Sequence, residues 1–317
     1  MHLQMRKWNN FLLVTLMIMS SCKTIVNDLR VEKILSLDNF PSGSSLEYYD
    51  DKLYLGGDDA AKLLILDTSY NTIDSLTLFE NTTRRIPKAV KVDLEASAIV
   101  TINAQPHLLL VGSASLPTRE KIVLLGLDTL EMQFHSISDF INRLTHAGLN
   151  DINIEGAASL GKLLVLANRG NLSNPYNHLV FTQPNFWLHQ QSAPVNTAIL
   201  VLPGNNQFSG ISGLAYIEKD DLLVFTASTE TTENSFEDGE IGDSYIGWVK
   251  NISGKMAAKK ILADGFINLS ATNKNFFGEK IESLCISHSD NTTHTIHLVS
   301  DNDNGVSKLF KIRITIE

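Results

Sequence analysis

Apolar residues fall along this chain in short alternating runs rather than in the rhythm of amphipathic helices. The first set covers residues 43–50, 52–58, 62–67 and 72–79, rich in Leu, Ile and Tyr and bounded by Asp-Asp, Gly-Gly and Asn/Ser/Thr clusters. Runs of this kind read as strands separated by turns. The same order returns at 96–102, 107–112, 121–128 and 131–137, then at 157–160, 162–167, 178–182 and 197–202. It returns again at 213–218, 221–227, 245–251 and 259–263. The last set opens at Lys280, continues through 283–288, 295–300 and 308–316, and stops one strand short. Residues 30–37 (RVEKILSL) precede the first set and match its outer strand (TIDSLTLF). They supply the missing piece, because pairing the two ends of the chain hides an open sheet edge.

A second regularity runs through the sets. An aliphatic residue followed by glutamate stands before a hydrophobic strand at Leu46-Glu47, Leu94-Glu95, Ile154-Glu155 and Ile281-Glu282. A related stretch, Ser212-Gly213-Leu214-Ala215-Tyr216, matches Ser44-Ser45-Leu46-Glu47-Tyr48 but carries alanine in place of the acid. A strand-built repeat of this length predicts an all-β chain, a β-propeller over residues 30–317 with five four-stranded blades closed by the N-terminal strand. Six blades, one of them degenerate, fit the count as well. Residues 138–148 carry helical spacing after a serine, and 183–194, 229–243 and 266–278 are inserted loops.

The formal net charge is −9 and no basic cluster follows the N-terminal segment, which argues against a nucleic-acid partner. Residues 1–21 form a processing signal: Arg6 and Lys7, a short apolar run over 11–19, then Met19-Ser20-Ser21-Cys22. The run is too short to span a bilayer. The segment resembles a bacterial lipoprotein signal, which implies lipidation at Cys22, a tether over 22–29, and an envelope protein anchored at the outer membrane or periplasmic face. An ordinary secretory signal with an incidental cysteine is the other reading. The second cysteine, Cys285, alternates with Leu284 and Ile286 and reads as a small core residue.

A propeller gathers equivalent positions around one axis, so Glu47, Glu95, Glu155 and Glu282 are expected together at the channel mouth. Ionised carboxylates that close must protonate, pair with a cationic side chain or bind a metal. An all-oxygen set suits calcium, so these four are the candidate metal ligands. The competing expectation makes each glutamate a structural latch on the neighbouring blade. A second polar ring is expected where the next strand ends, at Asp58-Asp59, Ser113, Asn168, Ser228 and Asp301-Asn302-Asp303. Arg169 either holds an anionic group or neutralises Glu155 or Glu95. Glu230 opens a long acidic loop. Asp58, Arg169, Glu230, Asp301 and Asp303 are therefore the candidate ligand-binding residues. The chain carries no HExxH, nucleophile elbow, Walker loop or dinucleotide fingerprint, so no catalytic residue is assigned.

The stretches SGSSLEYYDDKLYL, DLEA, NIEGAA, NRGN, FTASTE, IGDSYIG, DGFINLS, KIESLCI and SDNDNG resemble a family of exported propeller lipoproteins, mostly from Bacteroidota, with no assigned activity. More distantly the pattern is similar to phytase-like esterase and gluconolactonase-type propellers, in which a central calcium does the chemistry. The resemblance implies a lipid-anchored module that binds a small molecule or an envelope protein, with calcium at its axis. It implies a calcium-dependent hydrolase of phosphoesters or lactones as the alternative, and a bare scaffold as the third reading.

Overall fold

The computed structural model describes residues 28–81, 83–204, 208–231, 234 and 239–317. The signal segment, Cys22 and the tether up to residue 27 lie outside the described residues. The strands form five antiparallel blades, which decides between five and six. From inner to outer strand, blade 1 is Gly43–Tyr49, Lys52–Gly57, Lys62–Asp67 and Thr72–Thr77. Blade 2 is Leu94–Ile102, Gln105–Gly112, Lys121–Gly126 and Met132–Ser136. Blade 3 is Ile154–Leu160, Leu163–Asn168, Asn177–Thr182 and Asn196–Val201. Blade 4 is Gly210–Ile217, Leu222–Glu230, Ile241–Lys250 and Gly265–Asn268. Blade 5 is Ile281–Asp290, Thr293–Asp301 and Ser307–Thr315, completed on the outside by Leu29–Leu37.

Each inner strand packs against the inner strand of the next blade, and that of blade 5 returns to blade 1. The ring is sealed as the terminal pattern predicts. Leu29 pairs with Ile314 and Leu37 with Ser307 at the two ends of the closing ladder. Tight inner hairpins suit the twist of the strands. Asp50 and Asp51, and Asn103 and Ala104, occupy left-handed backbone conformations at their tips, as two-residue primed turns require.

Five apolar clusters hold the wheel together, one in each gap between neighbouring blades. The helix Ser138–His146 fills out the gap between blades 2 and 3. Its Phe140, Ile141 and Leu144 are buried, and Phe140 meets Phe186 with ring centroids 4.5 Å apart.

One strand assignment needs correction. Residues 259–263, expected as the outer strand of blade 4, instead place Lys260–Leu262 parallel to the outer strand of blade 3. The outer strand of blade 4 is Gly265–Asn268, which runs into the expected loop 266–278. The indole of Trp248 decides this exchange. It lies so close to Gly265 that an added Cβ would fall 1.9 Å from the ring, so only glycine can pair there. The following Phe266 stacks on Tyr245 at 4.5 Å, almost parallel.

Candidate functional site

All five inner strands begin with a break in register, between Gly43 and Ser45, Leu94 and Ala96, Ile154 and Gly156, Ile211 and Gly213, and Ile281 and Ser283. A bulge leaves one residue outside the ladder and re-aims its side chain. The extra residues are Ser44, Glu95, Glu155, Ser212 and Glu282. The two serines are latches. Ser44 Oγ donates to Leu94 O at 2.5 Å and Ser212 Oγ to Ile281 O at 2.6 Å, each reaching the next blade. The three glutamates receive no backbone N–H among the described residues; they line the mouth of the axial channel.

This register moves Glu47 out of the ring. Its counterparts are Ala98, Ala158, Ala215 and Cys285, three positions farther along the strand, or about 10 Å at the rise of a β-strand. Glu47 lines a separate cavity with those residues. The match between the Ser44 and Ser212 stretches is in register, whereas the Leu-Glu dipeptide in blade 1 is displaced. Cys285 is buried, as expected of a core residue, and it also lines that cavity.

The other candidates converge. Asp58, Glu95, Glu155, Arg169, Glu230, Glu282, Asp301 and Asp303 line one small basin with about 80 Å³ of free space. The same basin holds Lys91, Asp93, Arg119, Asn153 and Lys280, which the repeat alone does not single out. A signal for three of them exists. Asp93, Asn153 and Lys280 each stand two residues before a bulge glutamate.

On the side of blades 3 to 5 an ion network is complete. Arg169 Nη1 donates to Glu155 Oε2 at 2.7 Å, and Nη2 to Glu230 Oε2 at 3.0 Å and Ser228 Oγ at 3.2 Å. Lys280 Nζ lies 2.9 Å from Glu282 Oε1 and 3.3 Å from Glu230 Oε2. Asn153 Nδ2 donates to Glu155 Oε1 at 2.6 Å. Arg169 therefore neutralises acids of the basin. On the side of blades 1 and 2, Lys91 bridges Asp58 and Asp93, and Arg119 Nη1 meets Asp93 Oδ2 at 2.6 Å. Ser113 Oγ donates to the same Asp93 oxygen, and Asn168 Oδ1 accepts from Asn153 N at 2.8 Å. Ser113, Asn168 and Ser228 thus support the charged groups. Asp301 is buried and accepts from Asp303 N at 3.0 Å, with Asp303 exposed at the rim.

Burial pushes the Glu282 carboxyl up to about 8 despite Lys280. Burial, with Asp93 and Asp58 close by, holds Glu95 well above the carboxylate range. Burial and the neighbouring Asp303 raise Asp301 to about 6. Burial also acts on Glu230, but Lys280 and Arg169 outweigh it and keep that carboxyl low. An acid raised in the folded chain binds its proton more tightly there than when unfolded. Its stabilising contribution is full below the unfolded value and is lost as pH rises through the folded one. Glu230 works in the opposite sense, at lower pH. The melting temperature is therefore expected to fall between about pH 5 and about pH 8. A melting series that is flat or rising across this window would show that the raised acids are already ionised and paired.

The model of the family of unknown function DUF6929 matches residues 39–314. The chain belongs to that family. No curated protein matches it. Among solved structures it is similar to Myxococcus xanthus glutaminyl cyclase, at 10% identity and a TM-score of 0.53, covering 91% of this chain and 97% of that one. It is also similar to a DUF4221 family member from Bacteroides vulgatus, at 10% identity and a TM-score of 0.42, covering 92% of this chain and 99% of that one. At such identity the likeness concerns the fold alone. Among the described residues of this DUF6929 chain, no helix is long and apolar enough to cross a membrane.

Proposed function

We propose that this protein is a lipid-anchored binding module of the bacterial envelope whose axial basin holds a hard divalent cation, calcium, and through it an envelope ligand. One observation carries the reading: four of the five positive groups of the basin are committed to acids, and some of the negative ones are not so engaged. Lys91, Arg119, Arg169 and Lys280 each engage acids. Glu95 has no hydrogen bond or ion pair among the described residues, and Asp58 Oδ1 is buried without a partner. One oxygen from each of Asp58, Asp93 and Glu95 lies within 4.8 Å of the others. Asp93 is saturated by Lys91, Arg119 and Ser113, so Glu95 and Asp58 are the ligands and Asp301 stands beside them. Eight carboxyls against five cationic side chains leave the lining formally negative. A donor set of oxygens alone, without histidine or thiolate, suits calcium better than zinc or copper. The anchor rests on Cys22.

Calorimetric titration with calcium tests this directly. Glu95→Gln and Asp58→Asn are each expected to weaken binding by at least about tenfold. Absence of binding to the parent chain, or parent-like affinity in either variant, would overturn the assignment.

A calcium-dependent hydrolase of phosphoesters or lactones is the second reading. Its support is that Lys280 touches two carboxyls of opposite character, Glu282 raised and Glu230 lowered. Environments that drive two acids apart are those that supply a proton donor and an acceptor. Turnover of phosphate monoesters or lactones by the calcium-loaded protein, lost in Glu282→Gln, would favour it.

A further inference from the structure

The displaced glutamate sits in a setting of its own. Glu47 lines a cavity of about 180 Å³ whose remaining walls carry no other carboxyl and no cationic side chain. The equivalent positions of the other blades are Ala98, Ala158, Ala215 and Cys285, so packing does not demand an acid there. The carboxyl accepts one hydrogen bond, from Ser97 Oγ at 3.2 Å to Oε1, and forms no ion pair among the described residues. A carboxylate with so little compensation is costly away from bulk water.

Two aromatic rings stand at the same cavity, and both are tied in place. Tyr48 Oη donates to Asp51 at 2.8 Å and Tyr216 Oη to Asp221 at 3.1 Å. Each aspartate belongs to the turn that follows its strand and has positive φ. The tyrosines occupy the same position in blades 1 and 4, in the two stretches that match in register. A single carboxyl and two tied tyrosines, with no other charged side chain lining the cavity, make a poor calcium site, which needs six to eight oxygens. They suit an ammonium group bearing a short apolar substituent, through charge pairing and attraction to the ring faces.

We propose that this end of the axis is a second site, independent of the charged basin, that takes a small organic ammonium ion with Glu47 as counter-charge and Tyr48 and Tyr216 as walls. The titratable groups facing Glu47 across the cavity are Cys285 and these two tyrosines. Burial raises the Cys285 thiol, with the Glu47 charge adding to it, and raises both phenols. None of the three ionises near neutrality. Burial raises the Glu47 carboxyl itself to about 8. Ammonium binding favours its ionised form, so binding near neutral pH releases a proton.

The test is a titration with n-butylammonium, followed by calorimetry and NMR shifts, with n-butanol as the uncharged control. Saturable binding is expected, at least about tenfold tighter than the alcohol. Glu47→Gln should weaken it by about tenfold or more, and Ala215→Leu, which fills the cavity, should do the same. Glu95→Gln should bind as the parent does, which separates this site from the calcium basin. In buffers of different ionisation enthalpy, close to one proton should leave on binding at about pH 7, and almost none at about pH 9.5. Thermal melts check that each variant is folded. No saturable binding, equal affinity for the alcohol, unchanged affinity in folded Glu47→Gln, or loss in Glu95→Gln would overturn the proposal.

Discussion

Arg169→Ala is expected to destabilise the propeller by about 3–5 kcal/mol, the cost of removing one partner from a buried ion network. The guanidinium is 4% exposed and holds Glu155 and Glu230 on different blades. It lies over Gly210, where an added Cβ would fall 2.4 Å from Nε. The first residue of blade 4 is therefore glycine because the arginine fills that space. Lysine cannot replace a fork that serves two carboxylates at once, so Arg169→Lys should lose most of the same stability. Urea denaturation at constant slope measures the change. A triple variant, Arg169→Met with Glu155→Gln and Glu230→Gln, should recover most of the loss, since it leaves no uncompensated charge. A loss under about 1 kcal/mol in Arg169→Ala would mean that water already carries these charges.

The wheel itself is legible in the sequence because alternation and turn residues act locally, and because the N-terminal run matches an outer strand. The site is legible only in part. Glu95, Glu155 and Glu282 follow an aliphatic residue at the head of a strand, and so does Glu47, yet Glu47 belongs to the far cavity. The difference is the place relative to the bulge, which Ser44 and not Glu47 occupies in blade 1, and a bulge is an event between two strands that no single segment displays. Lys91 and Arg119 reach the basin from the connection before blade 2 and from a loop within it, where no repeat marks them. The latch expectation assigned a real function to the wrong residue type: at the bulge position serine ties the blades, and glutamate stands where the tie is absent. The exchange at the edge of blade 4 turns on one indole against one glycine, a contact between strands that composition cannot reveal.

Removing Leu29–Leu37 tests closure, and the expected loss exceeds about 5 kcal/mol, comparable with the whole stability of many domains. The strand pairs along the length of Ser307–Thr315, and each ladder hydrogen bond contributes about 1 kcal/mol net. It also serves two of the five gaps between blades. Leu35 and Leu37 pack into the cluster between blades 5 and 1, while Leu29 and Val31 pack into that between blades 4 and 5. Without it, Leu309, Phe310, Ile312 and Ile314 would flank an unpaired sheet edge that invites association with other chains. A chain beginning at Asp38 should therefore melt more than about 10 °C lower, or aggregate. Adding a peptide with the sequence LRVEKILSL should restore much of the loss, because an exposed edge accepts a strand supplied in trans. If the shortened chain melts within a few degrees of the parent and ignores the peptide, the ring is held by its inner strands alone. The basin would then not depend on closure, since its residues come from the first two strands of each blade and the loops next to them.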